Sequence, residues 1–184
     1  TLDDYRYERQ VGLAERTFLI LSADHGEGFN EHNKTQHANT LYEELTHIPL
    51  IIVGPGIKPA RIDEPVSLID MGPTILDIFG ADTPGNFMGE SLVPILRGEA
   101  PNLTRPIVMD TECGKQAMIG ADKLKIIRNV KLGTTELYDL TVDPGEETNL
   151  ADSRPDEAIR RASALATLLK AHQHRRPGYK PPYR

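Results

Sequence analysis

The stretch Thr17–His37 reads TFLILSADHGEGFNEHNKTQH, and the point where its apolar run breaks off, at Asp24-His25-Gly26, decides the reading of the fold. A continuous run of aliphatic and β-branched residues closed by small and polar ones predicts a strand buried on both faces, as in a parallel sheet. Asp24 and His25 then stand at the carboxyl end of that strand, where open α/β sheets bind their ligands. A carboxylate beside an imidazole at such an edge makes half of a metal site, and Gly26-Glu27-Gly28 lets backbone approach an ion closely. A plain hydrogen-bonding role at a turn is the competing reading. His32 and His37 follow within the same loop.

Outward from this stretch, Thr1–Gly12 is short and polar, which leads to the expectation that an N-terminal portion carrying the neighbouring strands precedes it. On the other side, the loop from Gly26 past Gln36 is long and rich in Gly, Asn, His and charge, as functional loops are. Asn39–Leu45 predicts a short helical turn, and Leu50–Val53 a second buried strand closed by Gly54-Pro55-Gly56. Val66–Gly80 predicts a helix with Asp70 as N-cap, Pro73 in the first turn and Gly80 as the stop, packing through Met71, Ile75, Ile78 and Phe79. Loop-rich sequence from Thr83 to Gly98 holds one apolar turn, Leu92–Leu96.

From Arg105 the pattern changes. Short apolar runs at Pro106–Asp110, Gln116–Gly120, Leu124–Arg128 and Glu136–Leu140, separated by turns, predict a small antiparallel sheet. Asp143-Pro144-Gly145 predicts a tight turn. Ser153 with Asp156 reads as a capping box opening a last helix, whose apolar face would be Ala158, Ile159, Ala162, Leu165, Ala166 and Leu169. The expected organisation is therefore α/β, with residues 1–104 part of an α/β domain, 105–171 a small antiparallel sheet packed with a helix, and 172–184 a basic, Pro-containing tail.

Composition narrows the function classes. The 184 residues suffice for a real core, and a net charge of −6 argues against nucleic acid as the main partner. Cys113 is the one cysteine, so no intrachain disulfide forms. No apolar run approaches the roughly 20 residues of a membrane-crossing helix. Localisation and oligomeric state are left open.

The segments SADHGEGFNEH, QHANTLYEELTHIPLIIVGPG, VSLIDMGPTILDIFG, MGESLVPILRG and ELYDLTVDPGEETNLA, in that order, resemble the second half of the sulfatase family within the alkaline phosphatase superfamily. The resemblance runs from about Arg16 to Ala151. It implies that Asp24 and His25 bind a divalent cation and that His37 contacts the sulfuryl or phosphoryl group, where a donor would offset developing charge. Many sulfatases carry Asn at the second position and hold calcium, the first expectation here. The imidazole of His25 also suits manganese or zinc, as in phosphonate- and phosphoryl-transferring relatives. His32 is expected to order the loop, His47 to lie at a rim, Glu43 and Glu44 to orient ligands or simply to be solvated, and His172 and His174 to belong to the tail.

Sulfatases make a formylglycine nucleophile from the Cys or Ser of a C/S-x-P-x-R motif. Cys113 is followed by Gly114, Lys115, Gln116 and Ala117, and Ser153 has Glu157 where Arg is required. Asp3 and Asp4 have no strand before them to make them the remaining metal ligands. The expectation is thus the C-terminal part of a metal-dependent sulfatase: an incomplete alkaline phosphatase-like sheet plus the small subdomain, acting on a small-molecule or glycan sulfate ester. Formylglycine would lie in a missing N-terminal half, without which the chain is inactive. Hydrolysis of phosphodiesters or phosphonate monoesters, and a noncatalytic binding module, are the alternatives.

Overall fold

The computed structural model describes residues 12–33, 35–36, 40–85, 87–99, 103 and 105–172, and the chain divides into two units, residues 1–107 and 108–184. In the first unit the opening apolar run forms β1 (Leu19–Ser22), paired with β4 (Leu50–Val53). The pairing is antiparallel, Leu19 opposite Val53 and Ser22 opposite Leu50, which corrects the expected parallel arrangement. Nor are both faces covered: Leu21 and Ile51, neighbours across the ladder, are 49% and 54% exposed. An aliphatic run specifies a strand with an apolar environment, but it carries no information on the direction of its neighbour.

Between these strands the loop is more ordered than its composition implies. It holds a two-residue ladder, β2 (Gly28–Phe29) with β3 (Thr35–Gln36), and one helical turn, α1 (Glu43–Thr46).

The expected helix also forms, but with a different face. A 3₁₀ turn over Leu68–Asp70 leads into α2 (Met71–Ile78). Asp70 takes the N-cap position of α2 as expected, but its side chain makes no cap hydrogen bond to that helix; it closes a capping box with Ser67, the N-cap of the 3₁₀ turn. The Asp70 carboxylate reaches back to the Ser67 amide at 2.8 Å, accepts the Glu90 amide at 2.8 Å and pairs with the Arg105 guanidinium. Asp70 is completely buried. Thr74 donates to the Asp70 carbonyl at 2.6 Å and accepts the Leu92 amide at 2.9 Å, tying α2 to the entry of α3 (Val93–Leu96). The buried residues of α2 are accordingly Pro73 and Thr74, whereas Ile75 and Phe79, expected in the packed face, are exposed. Gly80, at φ +64°, stops the helix as its sequence predicts.

The second unit is built on a four-stranded sheet in the order β5 (Ile107–Asp110), β6 (Lys115–Ile119), β7 (Leu124–Asn129), β8 (Thr134–Asp139). Neighbours β6, β7 and β8 are antiparallel, joined by turns around Gly120–Lys123 and Val130–Gly133. One face packs on α4 (Pro155–His172) through Met118, Ile126, Leu137, Ala158 and Leu165. Ile159 and Ala166, expected in the helix face, are exposed; Leu168 and Leu169 complete the contact. Ser153 does not act as the predicted cap acceptor, since its hydroxyl donates to the Leu150 carbonyl at 3.1 Å and the helix starts at Pro155.

On the alternate residues of β7 and β8, Lys125 lies opposite Tyr138, and both are buried. Lys125 Nζ meets Glu146 Oε1 at 2.9 Å with both side chains fully buried. Glu146 sits at φ +54° just after the Asp143-Pro144-Gly145 turn. Asp143 accepts the amides of Glu147 and Thr148, while Asn149 Oδ1 accepts those of Leu137 and Ala151. The DPGEETNLA segment is therefore structural: it locks the loop after β8 back onto that strand.

Two stability predictions follow from these contacts. Leu137→Ala, removing a side chain with no exposed area, should lower unfolding stability by about 2–5 kcal/mol, and Ile159→Ala, 64% exposed, by less than about 0.5 kcal/mol, in urea titrations. Asp70→Ala strips a buried partner from Arg105 and should cost about 3–5 kcal/mol by the same measurement.

Candidate active site

Asp24 and His25 lie in the turn immediately beyond β1. The Asp24 side chain is 89% exposed and that of His25 46%. His25 is oriented from both sides. Its backbone amide donates to Asp24 Oδ1 at 3.0 Å, and its ring Nδ1 lies 2.7 Å from the Gly26 carbonyl oxygen. A carbonyl only accepts, so Nδ1 carries the proton, and in the neutral ring the lone pair is on Nε2. Nε2 faces Asp24 Oδ2 at 3.7 Å. A carboxylate oxygen and an imidazole nitrogen thus share one direction, with the second ring nitrogen pinned to backbone as in metal-ligating histidines.

The Gly26 carbonyl, followed by the Asp24 carboxylate, raises the His25 pKa above 6.5. Further along, Glu31 accepts the Phe29 amide at 2.6 Å; its own backbone amide and that of Phe29 hold its carboxyl below the ordinary range.

The turn is held in place by α1. The Gly26 amide donates to the Leu45 carbonyl at 2.9 Å, and a Cβ at Gly26 would collide with the Glu44 carbonyl oxygen. His32, at φ +49°, stacks on Tyr42 with ring centroids 3.8 Å apart and an interplanar angle of 11°. Its Nδ1 lies 3.1 Å from Glu44 Oε1, with the two side chains only 17% and 11% exposed. Glu44 is therefore engaged by the loop, whereas Glu43 reaches His47, whose side chain is 80% exposed, at 3.5 Å.

His37 lies outside the described residues, as do Asp3, Asp4 and His174. Among the described residues no group of three or more His, Cys, Asp or Glu side chains could hold a metal ion. Asp24 and His25 fit a divalent cation as two ligands of a larger shell. Cys113 is a free thiol of intermediate exposure. Sequence reasoning singled out the pair through the end of the apolar run; it missed Tyr42 and Arg105, which no spacing links to the residues they touch.

Residues 9–81 match the family described as Sulfatase. Arylsulfatase K of Canis lupus familiaris is 36% identical over 176 residues, covering 88% of this chain and 32% of that protein. A solved 2-O GAG sulfatase is 27% identical with a TM-score of 0.78, covering 90% of this chain and 39% of its own. The phosphonate monoester hydrolase of Silicibacter pomeroyi is 25% identical with a TM-score of 0.76, over 93% and 38% of the two chains. The chain thus spans about a third of the length of the curated relatives it matches, and its α/β fold is that of sulfatases.

In an NMR titration of the ring carbons, His25 should lose its proton at a midpoint above 6.5, and Asp24→Asn should bring that midpoint down. Because the folded value is the raised one, the stabilisation from protonated His25 is complete below the ordinary pKa. It fades as pH rises through the raised value.

Proposed function

Residues 9–81 are a sulfatase-family segment, and from that premise we propose that the full-length protein containing this chain hydrolyses sulfate esters. Asp24 and His25 supply part of the shell of a divalent cation there. The observation that carries this reading is the oriented pair itself: a carboxylate and an imidazole facing the same way, with Nδ1 bound to the Gly26 carbonyl. The cation, when bound, polarises the oxygens of the ester. On this chain, Asp24 contributes charge and an oxygen ligand, and His25 contributes Nε2 held in one tautomer by Gly26. His37 donates to the sulfuryl oxygens or the leaving group.

A sulfated sugar is the substrate class in view, since a neighbour of the same fold is described as a 2-O GAG sulfatase. Calcium is the first candidate ion, with manganese or zinc favoured by the imidazole ligand. A formylglycine nucleophile would come from outside this chain, because neither Cys113 nor Ser153 lies in a C/S-x-P-x-R motif. With two ligands and no nucleophile motif, residues 1–184 alone are inactive and bind the cation weakly.

Phosphonate monoester hydrolysis is the second reading, favoured by His25 at the second ligand position and by the fold shared with a phosphonate monoester hydrolase. Purified full-length protein, depleted of metal and reloaded with calcium, manganese or zinc, should turn over 4-nitrophenyl sulfate faster than phenyl phosphonate esters. Asp24→Asn and His37→Ala should each reduce kcat/KM by about 10–100-fold or more. Preference for the phosphonate would install the second reading. Near-unchanged rates in both variants would remove the site assignment, and robust turnover by the 184 residues alone would sink the claim that they are incomplete.

A further inference from the structure

One helical turn, α1, touches the loop after β1 at two separate points. Its backbone presses on Gly26, directly after the Asp24-His25 pair, and the Gly26 amide is bound by the Leu45 carbonyl. Its side chain Glu44, with Tyr42 just before the turn, holds the imidazole of His32 six positions further on. Between these points the chain makes the β2 strand and passes through left-handed backbone at Asn30, His32 and Asn33, with φ of +92°, +49° and +54°. For residues with a Cβ such conformations are strained and persist only where surrounding contacts over-determine them. The stacking and the hydrogen bond at His32 are such contacts, and both are largely shielded from water.

We propose that His32, Tyr42 and Glu44 form a positioning clamp that fixes the loop following Asp24-His25. His32 itself makes no contact with cation or substrate. Two features set the clamp apart from ordinary loop packing. The Glu44 carboxylate accepts from Nδ1, so the imidazole is held in one orientation with its plane flat on the Tyr42 ring. The same residue, through its carbonyl, also blocks any side chain at Gly26, so one short element sets the loop's departure from β1 and its far end together. Loss of the His32 contact would leave Gly26 bound but release the loop beyond it. The consequence is a misplaced loop after the Asp24-His25 pair more than a lost fold. That catalytic consequence rests on the reading of Asp24, His25 and His37 proposed above; the clamp itself rests on the contacts.

The test uses full-length protein and four variants: His32→Ala, Glu44→Ala, the double variant and Glu44→Gln. Steady-state kinetics on 4-nitrophenyl sulfate, thermal unfolding and hydrogen–deuterium exchange are measured on each. The two alanine variants should each lower kcat about 10–100-fold, with little change in KM, and speed amide exchange across residues 26–36 while leaving α4 as protected as before. The double variant should be no slower than the worse single one, because both remove the same contact. Glu44→Gln, which keeps an oxygen acceptor for Nδ1, should restore most of kcat.

Exchange across residues 26–36 that is unchanged in Glu44→Ala would overturn the clamp. So would fast exchange with wild-type kcat, losses that multiply in the double variant, or a general fall in melting temperature that Glu44→Gln fails to rescue. If the wild-type protein hydrolyses neither sulfate nor phosphonate esters, the functional reading falls by itself. The exchange data then decide the clamp alone.

Discussion

The contact between Gly26 and the end of α1 is the constraint from which the arrangement of the first unit follows. Chain leaving β1 has to turn where a helical turn already occupies the space a side chain would need, so only glycine fits. The amide of that glycine closes on the Leu45 carbonyl, and Leu45 is itself buried. Since α1 runs on into β4, and β4 pairs with β1, strand, turn, helix and strand form a closed circuit of hydrogen bonds. Asp24 and His25 sit on an exposed segment of that circuit. Their backbone is held by the Gly26–Leu45 hydrogen bond and by the close approach of α1.

Much of this was legible in the order of residue types. The break from aliphatic to Asp-His-Gly marks the end of β1, Gly80 marks the end of α2, and the four short runs after Arg105 mark the strands of the second sheet to within two residues. Family resemblance pointed to the Asp24-His25 pair before any geometry was known. What could not be read was direction and face. The same aliphatic run serves a parallel or an antiparallel neighbour, and β1 took the antiparallel one. In α2 the helical period predicted an apolar stripe, but the helix turns Pro73 and Thr74 inward and leaves Phe79 outside.

That second miss has a physical cause that recurs in the chain. Both units bury charged side chains completely. Asp70 is buried because three donors converge on it: the amide of Ser67 in the preceding turn and, from segments distant in sequence, the Glu90 amide and the Arg105 guanidinium. Lys125 is buried because Glu146 meets it from a left-handed turn after β8. Such groups add little to net stability compared with an apolar replacement, but each is expensive to leave without its partner. They tie particular segments together, which pattern and propensity do not do, and their partners are invisible until the chain is folded.

The strand connections of the second unit also bear on how quickly it assembles. Strands β6, β7 and β8 follow one another through tight turns, each pairing with its immediate predecessor, and α4 packs back on the strands that come just before it. Those strand pairings join residues close in sequence, whereas the helix packs across a longer span, Leu165 reaching Met118. In the first unit, by contrast, β1 has to wait for β4, across the whole loop that carries Asp24 and His25. Closing a longer loop before any contact rewards it is slow, and local pairing is fast. The hairpins of the second sheet thus close over short loops, whereas the β1–β4 ladder, and with it the turn that bears Asp24 and His25, closes over a longer one.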